Sequence, residues 1–359
     1  MKKTIILVLL ILCCAGSAFC GEFEDALKAA EQGNADAQLN IGNRYYIGQG
    51  VPQDYKKAVY WYTKVAEQGN ADMQGILGMM YYNGFDVPQD YKKAVYWYTK
   101  AAEQGYAFAQ YFLGRMYKRG QGVPQDYKKA VYWYTKAAEQ GDASAQYGLG
   151  FMYNYGQGVP QDYKQAVYWY TKAAEQGDAS AQYGLGFMYN YGQGVPQDYK
   201  QAVYWHTKAA EQGDDMAQCF LGVMYHRGEG VPQNYKKAVK WYTKATKQGY
   251  AFAQYGLGVM YNYGQGVPQD YKQAIYWYTK AAEQGDASAQ YSLGVMYDNG
   301  YGVPQNYRLG YIWSSLAAAQ GDKHAIKNRD ILVKKLTPQQ LGEAQELAAK
   351  LQEKIDSSK

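Results

Sequence analysis

The chain has 359 residues, with 37 Lys and Arg against 32 Asp and Glu for a formal charge of +5, and 42 tyrosines and eight tryptophans among its aromatics. The charge is spread evenly along the sequence, which excludes a nucleic-acid binder whose basic residues gather on one face. Four cysteines, two of them the adjacent Cys13 and Cys14, exclude a disulfide framework, so the fold has to hold by packing.

Residues 1–20 read as a secretory signal peptide: Lys2 and Lys3 precede an apolar run from Ile5 to Ala15, followed by Gly16, Ser17 and Ala18. The run is shorter than the ~20 residues of a membrane-spanning helix, so no transmembrane segment is expected in the mature chain. Cleavage after Ala18, with Gly16 at the third position back, and cleavage after Cys20, with Ala18 there, both fit. Phe19 stands where lipoprotein signals place a small residue, which argues against a lipid anchor on Cys20. The expected location is the periplasm or the medium.

Residues 21–33 form an N-terminal half-repeat cap, because Asp25 to Gly33 matches only half of the unit that follows. From 34 to 321 a 36-residue unit recurs eight times. The copy beginning at Val159 returns at Val195 with His206 in place of Tyr170, and the same frame opens at Val51, Val87, Val123, Val231, Val267 and Val303. Such a period outranks any local motif and makes the chain one array of neighbour-stacked units.

Within the unit at Val159, Pro160 stops a preceding helix, Asp162 caps a new one and Gln165 completes a capping box. Ala166, Trp169, Tyr170, Ala173 and Ala174 make its apolar stripe, and Gly177 ends it. Asp178 caps a second helix with the stripe Ala181, Leu185, Met188 and Tyr189, and Gly192 and Gly194 shape the loop beyond. Gly186 is expected to leave a notch for close helix approach, with Trp169 accommodated nearby. Residues 322–359 form a C-terminal cap: an irregular helix near Ile326 to Lys335, then a helix opened by Thr337, Pro338 and Gln340 whose apolar face is Leu341, Ala344, Ala348 and Leu351. The expected fold is all-α, a right-handed superhelical solenoid of antiparallel helix pairs with helical end caps.

Ala181, Leu185, Gly186, Tyr189, Gly192, Gly194, Val195, Asp198, Ala202, Trp205, Ala209, Ala210 and Gly213 together resemble the consensus of the Sel-1-like repeat, a relative of the tetratricopeptide repeat. Departures are Asp86 at the second loop glycine, Tyr106 and Tyr250 at the helix cap, and Ile312 and Ser314 in the last unit. The resemblance implies a non-enzymatic scaffold with a protein or extended-peptide partner; bacterial members are often exported. Some exported relatives carry paired cysteines in every repeat and bind or hydrolyse β-lactams, and this chain lacks such pairs.

In related superhelices the second helix of each unit lines the concave face. Three places on that helix lie opposite its apolar stripe and vary between units while their neighbours stay fixed. The candidate binding stripe comprises Tyr111, Arg115, Tyr147, Phe151, Asn154, Tyr183, Phe187, Asn190, His226, Tyr255, Asn262 and Tyr291. Drift of surface positions and packing between adjacent repeats are the competing explanations. A second ladder on the other helix, Tyr60, Tyr96, Tyr132, Tyr168, Tyr204 and Tyr276, is expected to be a packing feature, although stacked aromatics also suit the sugar rings of an envelope glycan.

No catalytic, metal or cofactor site emerges. Cys219 and His226 share the stripe, yet seven residues of helix separate them by ~10.5 Å, too far for a nucleophile and its base. The glycines of YGQGVP are followed by no lysine with serine or threonine, so a phosphate loop fails too.

Overall fold

The computed structural model describes residues 21–357, and the expected leader at 1–20 lies outside them. Every regular element among the described residues is a helix, and the chain divides into two compact units, one through Gln176 and one from Gly177. In the first, α1 (Gly21–Glu31) precedes four pairs: α2 (Ala35–Ile47) with α3 (Tyr55–Glu67), α4 (Ala71–Asn83) with α5 (Tyr91–Glu103), α6 (Ala107–Arg119) with α7 (Tyr127–Glu139), and α8 (Ala143–Tyr155) with α9 (Tyr163–Glu175). The second pairs α10 (Ala179–Tyr191) with α11 (Tyr199–Glu211), α12 (Asp215–Arg227) with α13 (Tyr235–Thr246), α14 (Ala251–Tyr263) with α15 (Tyr271–Glu283), and α16 (Ala287–Asn299) with α17 (Tyr307–Ala319). It closes with α18 (Lys323–Val333) and α19 (Pro338–Ser357).

Caps and glycines set the helix limits. Asp162 Oδ1 accepts from the backbone N–H groups of Lys164 and Gln165 at 2.9 and 3.0 Å. The expected capping box is only half made, because the Asp162 N–H donates to Tyr153 O at 3.0 Å, fastening the loop to α8. At Thr337 both halves form, at 3.0 and 3.3 Å. Gly156 ends α8 at φ 65°, a left-handed backbone that glycine adopts without strain. Asp86, the one non-glycine residue with positive φ among those described, holds φ 59°, and its carboxylate helps burial raise the pKa of Tyr46.

The closer partner of each alanine-initiated helix is the tyrosine-initiated helix that follows it, so the frame opened at Val159 cuts through the tighter pair. The glycine notch explains this. A Cβ on Gly150 would lie 2.7 Å from Tyr170 Cδ1, and one on Gly186 would lie 2.7 Å from His206 Nδ1. The notch therefore receives the tyrosine, or its histidine counterpart, of the following helix, and the expectation that Gly186 makes room for Trp169 is corrected. Tyr170 is 3% exposed, while Trp169 is half-buried; only towards the ends of the array do Trp61, Trp97 and Trp313 become buried. Adjacent residues on a helix point about 100° apart, so one of the two can enter the notch and the other is left at its rim.

A buried glutamine ladder ties consecutive repeats together. Gln146 Nε2 donates to Ala138 O at 3.2 Å, and its Oε1 accepts from Gln176 Nε2 at 2.7 Å. Gln176 also donates to Gly141 O at 3.0 Å. The same side-chain pair recurs as Gln74 with Gln104, Gln110 with Gln140, Gln254 with Gln284 and Gln290 with Gln320. It breaks where α13 stops at Thr246: Gln248 donates to Gly213 O, and the buried Gln218 Oε1 has no partner among the described residues.

At the C-terminal end, the segment read as irregular is a regular helix, α18, capped by Asp322. Ala344 and Ala348 of α19 are buried against Tyr311, Ile312 and Leu332, with Leu341 and Leu351 at the margin. Lys335 Nζ reaches Asp298 at 2.7 Å, closing the end of the last repeat.

Candidate functional site

The residues of the expected stripe fall in several local settings. The first place of the stripe is largely committed to packing. Tyr147 stacks on Tyr170 with ring centres 5.8 Å apart, Tyr111 lies 6.1 Å from Tyr134, and Tyr255 lies 5.7 Å from Tyr278, each against the ring that fills the glycine notch. Cys219, at the same place in α12, is buried, and burial pushes its thiol up to about 12, away from any nucleophilic role. His226 Nε2 donates to Gln265 Oε1 at 3.0 Å, packs on Tyr235, and has its proton affinity lowered chiefly by burial. Asn190 is buried, with its Oδ1 unpartnered among the described residues.

Tyr183 and Phe187 belong to an aromatic cluster with Phe220 and His206. Their ring centres stand 5.9 and 6.0 Å from that of Phe220, and His206 stacks on it at 5.1 Å. The imidazole is fully buried and both its nitrogens lack a hydrogen-bond partner among the described residues. Burial pushes its pKa down from 6.5 to about 3. Stability from this group is therefore intact above the unfolded-state pKa of 6.5 and is lost as pH falls towards the folded value of about 3. The unfolded chain takes up a proton that the folded chain refuses, a loss of ~1.4 kcal/mol per pH unit, or about 2 kcal/mol by about pH 5. His206→Tyr, which restores the residue found at Tyr170, is expected to remove that share of the acid sensitivity. Urea midpoints of both proteins at neutral pH and at about pH 5 check this; equal acid shifts in the two would refute it.

Three stripe residues, Tyr255, Asn262 and Tyr291, come together in a groove of ≈ 500 Å³ between α14 and α16. Val259, Val295 and Ser292 line it together with Tyr263, Tyr271 and Tyr301. Tyr271 and Tyr301 stack at 5.4 Å with an interplanar angle of 19°. Gln269 braces the rim by donating to Asn262 O at 2.8 Å and to Tyr271 Oη at 3.1 Å. Tyr263 is 66% exposed and Tyr301 45%, so two aromatic faces remain open to a ligand. Neither was singled out from the sequence, because Tyr263 is the residue after the last stripe place, Asn262, and Tyr301 is in the loop. Such a lining, aromatic rings edged by hydroxyl and amide groups and about as polar as it is apolar, suits a peptide segment that offers both ring contacts and hydrogen bonds.

In the first unit the same helix positions carry charge. Arg115 stands 5.3 to 5.9 Å from the ring centres of Tyr82, Tyr111 and Phe112, and Lys118 Nζ sits 3.5 Å over Phe151. Asn154 lies half-buried one turn beyond Phe151, its Oδ1 unpartnered among the described residues.

The second tyrosine ladder is not the packing feature expected. Tyr60, Tyr96, Tyr132 and Tyr168 of the first unit are about half exposed, as are Tyr204 and Tyr276 of the second. Each meets its neighbouring tryptophan edge-on, as Tyr168 meets Trp169 at 4.9 Å, and carries a lysine one turn on, as Lys172 stands 4.9 Å from the Tyr168 ring. Among the described residues no group of three or more His, Cys, Asp or Glu could hold a metal ion, and no helix is long and apolar enough to cross a membrane.

Helix pairs repeated every 36 residues, joined through glycine notches and a glutamine ladder, define an α-helical repeat protein. The chain belongs to the Sel1 repeat family. The family's repeat model matches 35–70, 71–106, 107–142, 143–178, 179–214, 215–250, 251–286 and 287–322, a register that keeps each tight helix pair whole. The chain is 35% identical to a Sel1 repeat protein from Oxalobacter formigenes, over 89% of this chain and 91% of that one, with a TM-score of 0.65. It is also 35% identical to c5321, a protective antigen of uropathogenic Escherichia coli strains, over 92% of this chain and 86% of that one, with a TM-score of 0.53. No curated protein matches the chain. Sel1 repeat proteins are typically non-enzymatic scaffolds for protein interaction.

Proposed function

We propose that this chain is an exported, non-enzymatic scaffold, active in the periplasm or medium, that binds a protein through an extended segment laid across its alanine-initiated helices. In this reading 1–20 is the leader, 21–33 and 322–359 are end caps, and the repeats between them carry the binding face. The observation that carries it is the groove formed by Tyr255, Asn262, Tyr263, Tyr291 and Tyr301, whose open rings offer large contact area at low entropic cost. The stripe residues Tyr183 and Phe187 make poor test positions, because they support His206 and Phe220.

Tyr263 and Tyr301 are better ones, being exposed enough to remove without opening the core. Selection of random peptides on the purified chain is expected to enrich sequences that bind it and lose about tenfold or more in affinity to Tyr263→Ala/Tyr301→Ala. Unchanged helicity of the variant guards the reading. Failure to enrich any peptide, or enrichment indifferent to the substitutions, would overturn it. An envelope glycan is the second reading, favoured by the exposed tyrosine ladder; retention of glycan fragments in place of peptides, lost on Tyr132→Ala/Tyr168→Ala, would establish it. Turnover of nitrocefin or a muropeptide would overturn the non-enzymatic assignment.

A further inference from the structure

The first unit carries a feature that its neighbouring repeats lack. Arg115, Lys118 and Arg119 occupy places held by Met79, Tyr82 and Asn83 one repeat earlier and by Phe151, Asn154 and Tyr155 one repeat later. They stand at i, i+3 and i+4 of α6, so they share one side of that helix. Arg115 is bedded among Tyr82, Tyr111 and Phe112, and Lys118 lies over Phe151 of the next repeat. Among the described residues no carboxylate forms an ion pair with any of the three.

The acids on the surrounding elements are otherwise engaged. Asp90, Asp126 and Asp142 cap α5, α7 and α8, and Asp72 and Asp86 act on the Tyr106 and Tyr46 phenols, helping to raise their pKa. Glu103 and Glu139 line a different cleft, beside Tyr132 and Trp133. The remaining charged residues on α5 and α7 are lysines. The cluster is thus positive, partly desolvated and uncompensated. Lys118 feels this directly: burial, with Arg119 and Arg115 adding to it, brings its pKa down from 10.5 to about 8.

We propose that Arg115, Lys118 and Arg119, with the rings of Tyr82, Tyr111, Phe112 and Phe151, form a docking surface for an acidic polypeptide segment whose carboxylates alternate with aromatic or apolar side chains. This rests on the reading of the chain as a peptide-binding scaffold. Rings hold Arg115 in place, which lowers the entropy lost when its guanidinium edge meets a carboxylate, and the same rings give a partner's apolar side chains a surface. Carboxylates supply the counter-charge that the chain itself does not.

The test uses a fluorescein-labelled peptide of alternating glutamate and tyrosine, its glutamine–tyrosine counterpart, and a heparin oligosaccharide, followed by anisotropy on the whole chain. The glutamate peptide is expected to bind about tenfold or more tightly than the glutamine one, and to lose that advantage in Arg115→Gln/Lys118→Gln. Arg115→Lys/Lys118→Arg, which keeps the charge, should retain most of it. On binding, the Lys118 ammonium should titrate closer to its ordinary value by NMR. Equal binding of the two peptides, or indifference to the neutralising pair, would overturn the proposal. So would heparin binding that matches or exceeds the glutamate peptide's and depends on the same residues. Absence of the glutamate preference beside enrichment of peptides that need Tyr263 and Tyr301 would leave the scaffold standing and remove this surface; failure of both would remove both.

Discussion

Tyr170→Ala is expected to destabilise the first unit by ~3–5 kcal/mol, whereas Trp169→Ala, one residue earlier and with the larger side chain, should cost about half that or less. Tyr170 is the ring that enters the notch over Gly150 and stacks on Tyr147, and truncating it leaves a cavity that two helices cannot close without shifting. Trp169 is only partly buried, packing at the margin of the core and meeting Tyr168 edge-on at the rim. Urea unfolding followed by circular dichroism, with hydrogen exchange on α8 and α9 to localise the loss, would check the difference. Equal or reversed costs would mean that the notch is not the centre of the pair.

The second large effect is a coupling. Gly75 holds the place that is tyrosine in α6, α8, α10, α14 and α16, and Tyr106 holds a place where α8 and α10 have their aspartate caps. The two departures compensate each other: a Cβ on Gly75 would lie 2.6 Å from Tyr106 Cε1, so the tyrosine ring fills the volume that the glycine vacates. α6 accordingly lacks a side-chain cap bond. Gly75→Tyr alone should cost ~2 kcal/mol or more through overpacking. Tyr106→Asp alone should gain about 1 kcal/mol from the new cap and lose at least as much from the emptied space. The double variant, which rebuilds the common pattern, should sit near the parent, giving a favourable interaction of ~1–3 kcal/mol. Strict additivity in the cycle would refute the pairing. Cys219 and Tyr250 repeat the arrangement in the second unit, where α14 likewise lacks a side-chain cap bond and Tyr250 packs into the cluster that buries Cys219.

These pairs bear on how the stripe is read. Variation at Gly75 and Cys219 looks from the sequence like freedom at a ligand-facing surface. In the structure it answers to tyrosines 31 residues downstream, at Tyr106 and Tyr250. The first place of the stripe is shaped in large part by the adjoining helix. Exposure for a ligand is concentrated further along, at Tyr263 and Tyr301 in the second unit and around Arg115 and Lys118 in the first.

Most helix limits and caps, the loop glycines and the count of repeats were legible in the amino-acid order, because each depends on residues within a few positions of one another and the 36-residue period states them eight times. Asp178 as a cap, Gly192 in a left-handed loop and Thr337 with Gln340 as a capping box are local facts of backbone hydrogen bonding. Tertiary structure alone decided which ring fills the notch over Gly186, why Gln146 is buried rather than solvated, and which tyrosines beside the stripe stay open. Each of those depends on a partner 20 to 31 residues away, such as His206 for Gly186, Gln176 for Gln146 and Tyr106 for Gly75. A periodic sequence offers the same residue types at every such distance. Only the way one helix pair seats on the next selects which of them meet.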